Sequence, residues 1–121
     1  MKILGFIPAR LNSSRLPKKA LLKIDGLPMI IHTLKRAKMS RKLSEVIVCT
    51  DSLEIMEEVK KYHGKCILTS SRHKNGTERV YEASKKFKFD LCIDIQGDEP
   101  FVNHLHIDKV INFHKKNLNF D

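Results

Sequence analysis

The 121-residue chain has little of what would tie it to a membrane, a secretory route or a covalent mechanism. No apolar run approaches the ~20 residues needed to cross a bilayer. The N-terminus reaches Pro8 and Arg10 after only a few apolar residues, too soon for a signal-peptide core. A cytoplasmic location with no membrane partner is expected. Three cysteines, Cys49, Cys66 and Cys92, stand far apart without C-x-x-C spacing, each in an apolar segment, and read as buried free thiols in a reducing compartment. Six histidines include His104 and His106, but no companion Cys or His gives the spacing of structural zinc. No nucleophile is paired with a base, so covalent catalysis has no support. Neither G-x-x-x-x-G-K-[ST] nor a G-x-G-x-x-G after the first strand occurs, so a nucleotide has to be held by other means. Aromatic residues, at 7%, are too sparse to interleave with the cations as a single-strand stacking platform requires. Internal repeats, low-complexity stretches and Ser/Pro-rich linkers are absent as well.

What the chain does have is positive charge. Lys and Arg number 23 against 14 Asp and Glu, a net +9 that favours acidic partners such as nucleotides, nucleic acid or anionic surfaces. Much of the excess lies at Lys35 to Lys42, Lys60 to Lys65 and Lys85 to Lys88, on helix-like stretches where a solvated face accounts for it. With 41% hydrophobic and 31% charged residues, one soluble globular domain is the default for this length.

Short runs rich in Ile, Val, Leu and Cys at Ile3 to Ile7, Val46 to Thr50, Cys66 to Thr69 and Leu91 to Ile95 read as buried parallel strands. Between them, apolar residues recur at helical spacing: Met29, Ile30, Leu34 and Ala37; Leu53, Met56 and Val59; Val80, Ala83 and Phe87. Pro28 suits a first helical turn, Asp51-Ser52 can cap the second helix and Gly64 follows it as a stop. Leu22 to Pro28, with Asp25-Gly26, reads as a turn, and Ile107 to Lys116 as a last helix. Alternating strand and helix predicts a Rossmann-like parallel sheet covered on both faces by helices. Ligands of such sheets collect beyond the carboxyl ends of the strands, where strand order reverses.

The unusual residues fall on that rim. Pro8 to Lys19 carries Arg10, Arg15, Lys18 and Lys19 beside Ser13 and Ser14, stiffened by Pro8 and Pro17; its guanidinium forks, ammonium groups and neutral donors suit a polyphosphate. Gln96-Gly97-Asp98-Glu99-Pro100 places carboxylates at a strand end, and Asp98 is the best metal candidate, since Mg²⁺ takes one or two carboxylates plus phosphates and water. A turn in which Asp98 bonds its own backbone is the plain alternative. His73 to Arg79 feeds a helix that Asn75 or Thr77 can cap, with Arg79 paired to Glu78 or Glu82; a loop contacting base or sugar is the functional alternative.

Taken in order, Ile7-Pro8-Ala9-Arg10, Ser14-Arg15-Leu16-Pro17, Lys19, Gly26-x-Pro28-Met29-Ile30, Ala37, Thr50-Asp51, His73, Gly76-Thr77-Glu78-Arg79 and Gln96-Gly97-Asp98-Glu99-Pro100 resemble the 3-deoxy-manno-octulosonate (KDO) cytidylyltransferase family across almost the whole chain. The resemblance implies a nucleotide-diphospho-sugar transferase fold and Mg²⁺-dependent transfer of CMP from CTP to KDO, with release of pyrophosphate, for lipopolysaccharide synthesis. It implies that Arg10, Arg15 and Lys19 hold the triphosphate, that Asp98 binds Mg²⁺, and that these four residues carry the catalysis. Pro8 and Ser14 join the CTP site, Ala9, Ser71, Arg72 and Gly76 lie where the family holds the cytidine, and Arg79, Gln96 and Glu99 lie near the sugar. The family's Leu-Pro-Gly-Lys-Pro becomes Leu16-Pro17-Lys18-Lys19-Ala20, with a lysine where a glycine is usual.

The family is much longer than this chain, so residues 1–121 are expected to be its N-terminal nucleotide-binding part, incomplete at the C-terminus, weak in CTP binding and nearly inactive alone. The complete form is expected to be a homodimer that binds no nucleic acid. The rival readings are a transferase for another acidic sugar, such as a sialic-acid-like nonulosonate or 8-amino-KDO, a non-catalytic basic module for nucleic acid, and a degenerate remnant.

Overall fold

The computed structural model describes residues 1–11, 17–97 and 101–117, with side chains described through residue 114. Four parallel strands form the central sheet: β1 (Ile3–Ala9), β4 (Glu45–Thr50), β5 (Lys65–Leu68) and β6 (Leu91–Asp94), in the order β5-β4-β1-β6. All seven residues of β1 are buried, as a central strand of a doubly covered sheet requires. The flanking strands β5 and β6 are partly exposed rather than buried as expected, because each lies at an edge and packs less completely beneath the helices. Pairing continues one residue beyond each: Thr69 N–H donates to Thr50 O at 2.8 Å and Ile95 N–H to Phe6 O at 2.8 Å.

Helices α1 (Met29–Lys38), α2 (Leu53–Lys61) and α4 (His104–Asn117) share one apolar core with the sheet, through Ile30, Leu34, Ile55, Val59, Ile107 and Ile111 against Ile3, Ile7 and Val48. Helix α3 (Gly76–Ser84) covers the other face, where Val80 and Ala83 meet Leu4, Phe6, Ile47 and Cys49. Full burial of a side chain such as Phe6 or Ile30 contributes about 1.5–3 kcal/mol, and residues of this kind hold the layers together. In α2 the expected face is turned: Ile55 and Val59 are buried, whereas Leu53, at the first turn, is 65% exposed.

Local signals explain the ends of these elements. Ser52 caps α2, its hydroxyl accepting from Ile55 N–H at 3.2 Å. At the other end, Gly64 N–H donates to Val59 O and His63 N–H to Lys60 O, both at 2.9 Å, a Schellman motif in which His63 takes the left-handed conformation (φ 64°). Gly64 serves by size rather than by φ, since a Cβ there would stand 2.7 Å from Leu34 Cδ2 and 2.8 Å from Val59 Cγ1. The expected turn is a two-stranded hairpin, β2 (Lys23–Ile24) and β3 (Leu27–Pro28), whose central Asp25 and Gly26 both have positive φ, as a type I′ turn needs.

The order β5-β4-β1-β6 reverses direction between β1 and β6. Successive connections from β1 through β4 to β5 run one way, and α3 carries the chain back across to β6. This sets the ends of β1 and β6 side by side at the switch point, where the rule for open α/β sheets places ligands. Among the described residues no helix is long and apolar enough to cross a membrane.

Candidate functional site

At the switch point, the carbonyl end of β1 is gripped from two sides. A Cβ on Gly97 would lie 2.5 Å from Pro8 O, and one on Gly76 would lie 2.9 Å from Pro8 Cγ, so both loops pass the proline at distances that side chains would block. Thr33 of α1 adds a hydroxyl contact of 3.4 Å to Gly97 O. The result is an open cavity of about 340 Å³. Its lining comes from Pro8, Ala9 and Arg10 after β1, Lys19 and Ala20 of the following 3₁₀ turn, Met29 of α1, His73 to Gly76 and Arg79 of the α3 entry, and Gln96 and Gly97 after β6.

Arg10 and Lys19 supply cationic groups at the β1 side. The neighbouring Lys18 does not line the cavity; its ammonium lies 3.6 Å from the Glu54 carboxylate on the first turn of α2. Lys18 also sits at φ 55°, in the left-handed region. This is the position where the resemblance has glycine, so the loop keeps a glycine-like backbone under a lysine, at a strain of about 1 kcal/mol. Ala20, buried behind it, keeps the turn against the core.

On the opposite side the loop Thr69 to Asn75 is fastened to α3 by side chains. Asn75 caps the helix, its carbonyl oxygen accepting from Glu78 N–H at 2.9 Å. Glu78 in turn accepts from Lys74 N–H at 2.8 Å. Arg79 is only 5% exposed, yet its partners are neither Glu78 nor Glu82 as the sequence suggested: its guanidinium donates to Thr69 Oγ1 at 2.6 Å and Ser70 O at 3.2 Å and lies 3.9 Å from Asp51. The fold brings the end of β4 and the end of β5 within reach of this one side chain, and a buried guanidinium needs several acceptors. Glu82 accepts from Ser70 N–H, the principal cause of a pKa below the usual carboxylate range, with the His73 imidazole adding to it.

Asp94, ending β6, is exposed as a residue, but desolvation of its carboxyl pushes its pKa up, with a hydrogen bond from Thr77 opposing the shift. Burial pushes the thiols away from the thiolate form, Cys49 up to about 12, Cys66 up to about 11 and Cys92 upward. Cys49 is buried as expected, whereas Cys66 and Cys92 are partly exposed.

Of the residues named from sequence, Pro8, Ala9, Arg10, Lys19, Gly76, Arg79 and Gln96 are brought together around the cavity. Ser71 and Arg72 are exposed on the same loop, outside the lining. Ser14, Arg15, Asp98 and Glu99 lie outside the described residues. Ala20, Met29, Lys74, Asn75 and Gly97 also line the cavity, although none was singled out from sequence as a site residue; Lys74 and Asn75 entered only through the loop His73 to Arg79, Asn75 as a helix cap, and Gly97 only through its motif. The signal was present for three of them, since Lys74 and Asn75 directly precede Gly76 and Gly97 sits inside the acidic motif. Ala20 and Met29 carry no chemical signature, and only the packing of α1 against the 3₁₀ turn reveals them.

The sequence profile of the cytidylyltransferase family matches residues 4–120. The chain is 46% identical over 110 residues to a 3-deoxy-manno-octulosonate cytidylyltransferase of Leptospira interrogans, covering 90% of this chain and 44% of that protein. It is 45% identical over 118 residues to the enzyme of the same name from Fusobacterium nucleatum, covering 97% and 48%. Among solved structures, it matches a CMP:2-keto-3-deoxy-manno-octonic acid synthetase complexed with CTP at 37% identity and a TM-score of 0.96, over 98% of this chain and 49% of that one. A cytidylyltransferase from Leptospira borgpetersenii matches at 25% identity and a TM-score of 0.86, over 98% and 51%. The chain thus spans about half the length of the relatives it matches.

Proposed function

Because the chain belongs to the cytidylyltransferase family, we propose that residues 1–121 are the nucleotide-binding part of an enzyme that transfers CMP from CTP to KDO for lipopolysaccharide synthesis. The observation that carries this reading is the cavity itself, with Arg10 and Lys19 on one side and a polar, glycine-fitted wall on the other. It is joined by the similarity to a synthetase solved with CTP.

In this reaction the anomeric hydroxyl of the sugar attacks the α-phosphorus in line, a P–O bond forms to the sugar, the bond to the β-phosphate oxygen breaks, and pyrophosphate leaves as the hydroxyl proton is lost. Arg10, Lys19 and, by the family resemblance, Arg15 neutralise the triphosphate and hold it in one orientation, so that catalysis consists of positioning and charge compensation. Pro8, Ala9, Ser14, Ser71, Arg72 and Gly76 are assigned to CTP, and Arg79, Gln96 and Glu99 to the sugar. Arg79 serves that role through its position, since its guanidinium is already engaged with Thr69, Ser70 and Asp51.

No acidic side chain lines the cavity among the described residues, and no group of three His, Cys, Asp or Glu among them could hold a metal ion. A cation there would therefore depend on Asp98, which follows Gly97 in the chain, and on the phosphates and water. That donor set fits Mg²⁺, which takes few protein ligands and many water and phosphate oxygens. When bound, Mg²⁺ would offset charge on the triphosphate and the leaving pyrophosphate. The complete enzyme is proposed to be cytoplasmic and a homodimer, without nucleic-acid or membrane partners.

Calorimetric titration with CTP and Mg²⁺, with ATP as control and Arg10→Ala as variant, tests the reading. Selective CTP binding that Arg10→Ala weakens is expected. Equal binding of both nucleotides, or salt-sensitive binding of nucleic acid that outcompetes CTP, would favour the basic-module reading suggested by the +9 charge.

A further inference from the structure

One oxygen outside the cavity holds a wall of it in place. Glu82 Oε1, two turns into α3, accepts from the Ser70 backbone N–H at 3.0 Å and lies 2.7 Å from His73 Nε2. It thereby clamps both ends of the four-residue stretch Ser70 to His73. His73 faces a second carboxylate, Glu78, at 4.0 Å from its Nδ1, and the next residue, Lys74, donates its N–H to that same Glu78. His73, Lys74 and Asn75 line the cavity, whereas Glu82 does not.

Helix α3 and the apolar layer have anchors other than Glu82. Helix α3 is anchored by Val80 and Ala83 in the apolar layer and is capped by Asn75. The buried Arg79 ties Thr69 and the Ser70 carbonyl separately. Glu82 is the acceptor that joins the Ser70 amide to the His73 Nε2 side of the imidazole, and through them it bears on the position of the residues that follow. Both interactions favour the ionised carboxylate, in line with its lowered pKa.

We propose that Glu82 is a positioning residue for nucleotide recognition, clamping Ser70 and His73 so that Lys74, Asn75 and Gly76 face the base in the cavity. This rests on the reading of the cavity as a CTP site. It assigns Glu82 a role in discrimination between pyrimidine bases rather than in phosphate binding, because the clamp supports the wall opposite Arg10 and Lys19.

Two variants and two readouts test it. Glu82→Ala removes the acceptor, while Glu82→Gln keeps an Oε1 able to accept from both donors. Amide hydrogen exchange reads the Ser70 N–H, and calorimetry reads CTP against UTP, with a thermal melt verifying that each variant folds. Glu82→Ala is expected to speed Ser70 exchange and to weaken CTP binding about tenfold, the scale of a lost charged hydrogen bond. It should weaken UTP binding less, so that the CTP:UTP ratio falls, and Glu82→Gln should restore most of both effects. Wild-type exchange at Ser70 in Glu82→Ala overturns the proposal. So does an equal loss for CTP and UTP, which would mark a merely structural residue. Failure of the unaltered chain to bind CTP is a separate result: it overturns the CTP reading itself, and the inference with it, before any substitution is made.

Discussion

The turn after β6 and the loop after β5 border the same proline, where Gly97 and Gly76 each pack closely against it, yet they differ in what else holds them. Gly97 passes 2.5 Å, measured from an added Cβ, from a backbone oxygen that cannot move without disturbing β1. The loop from Thr69 to Asn75 is instead tied to α3 by Asn75, Glu78, Arg79 and Glu82. Steric fit is all or nothing, whereas a set of hydrogen bonds loses strength one member at a time. On the proposed reading, the turn after β6 needs the first kind of rigidity beside the strand end, and the loop proposed to face the base can use the second.

Substitutions on the two sides should therefore grade differently. The largest effect is expected at Gly97→Ala, whose methyl would stand 2.5 Å from the Pro8 carbonyl oxygen, a backbone atom; a loss of about 3 kcal/mol in chemical unfolding, with nucleotide binding abolished, is predicted. An unchanged denaturation midpoint would mean that the turn yields freely and that the steric half of the comparison is wrong. Next comes Arg79→Ala, which strips a buried donor from Thr69, Ser70 and Asp51 and should cost about 2 kcal/mol by the same measurement. Asn75→Ala removes one cap and should cost about 1 kcal/mol, seen as a lowered melting temperature without loss of fold. The smallest change has the opposite sign: Lys18→Gly relieves a left-handed lysine and should raise stability by up to about 1 kcal/mol, partly offset by the loss of the exposed Glu54 pair and by glycine's greater unfolded entropy.

The strands were legible in the sequence because Ile3 to Ile7 and Val46 to Thr50 are continuous apolar runs that only a doubly covered strand explains. Edge positions were not, since Cys66 to Thr69 and, apart from Asp94, Leu91 to Ile95 are as apolar as the central runs, and exposure depends on which strand lies next to which. The face of α2 was misread because Leu53 keeps helical spacing with Met56 while Ile55 turns inward. At the site, Pro8, Arg10, Lys19 and Gly76 announced themselves by charge or by motif. The partners of Arg79 did not, because Asp51 and Thr69 are distant in sequence and meet it only where β4 and β5 end together. His63 in place of Gly64 at the left-handed position follows from packing: the space beside Leu34 and Val59 admits no Cβ at Gly64, so glycine is spent there.

The central claim is that three loops at the β1/β6 switch point form one nucleotide site. It is tested most directly by following backbone amide shifts of this chain on addition of CTP and Mg²⁺. The account predicts that the perturbed amides cluster at Ala9, Arg10, Lys19, His73 to Gly76, Gln96 and Gly97. Shifts confined instead to the lysine-rich outer faces of α1 and α2, with these amides unmoved, would contradict it.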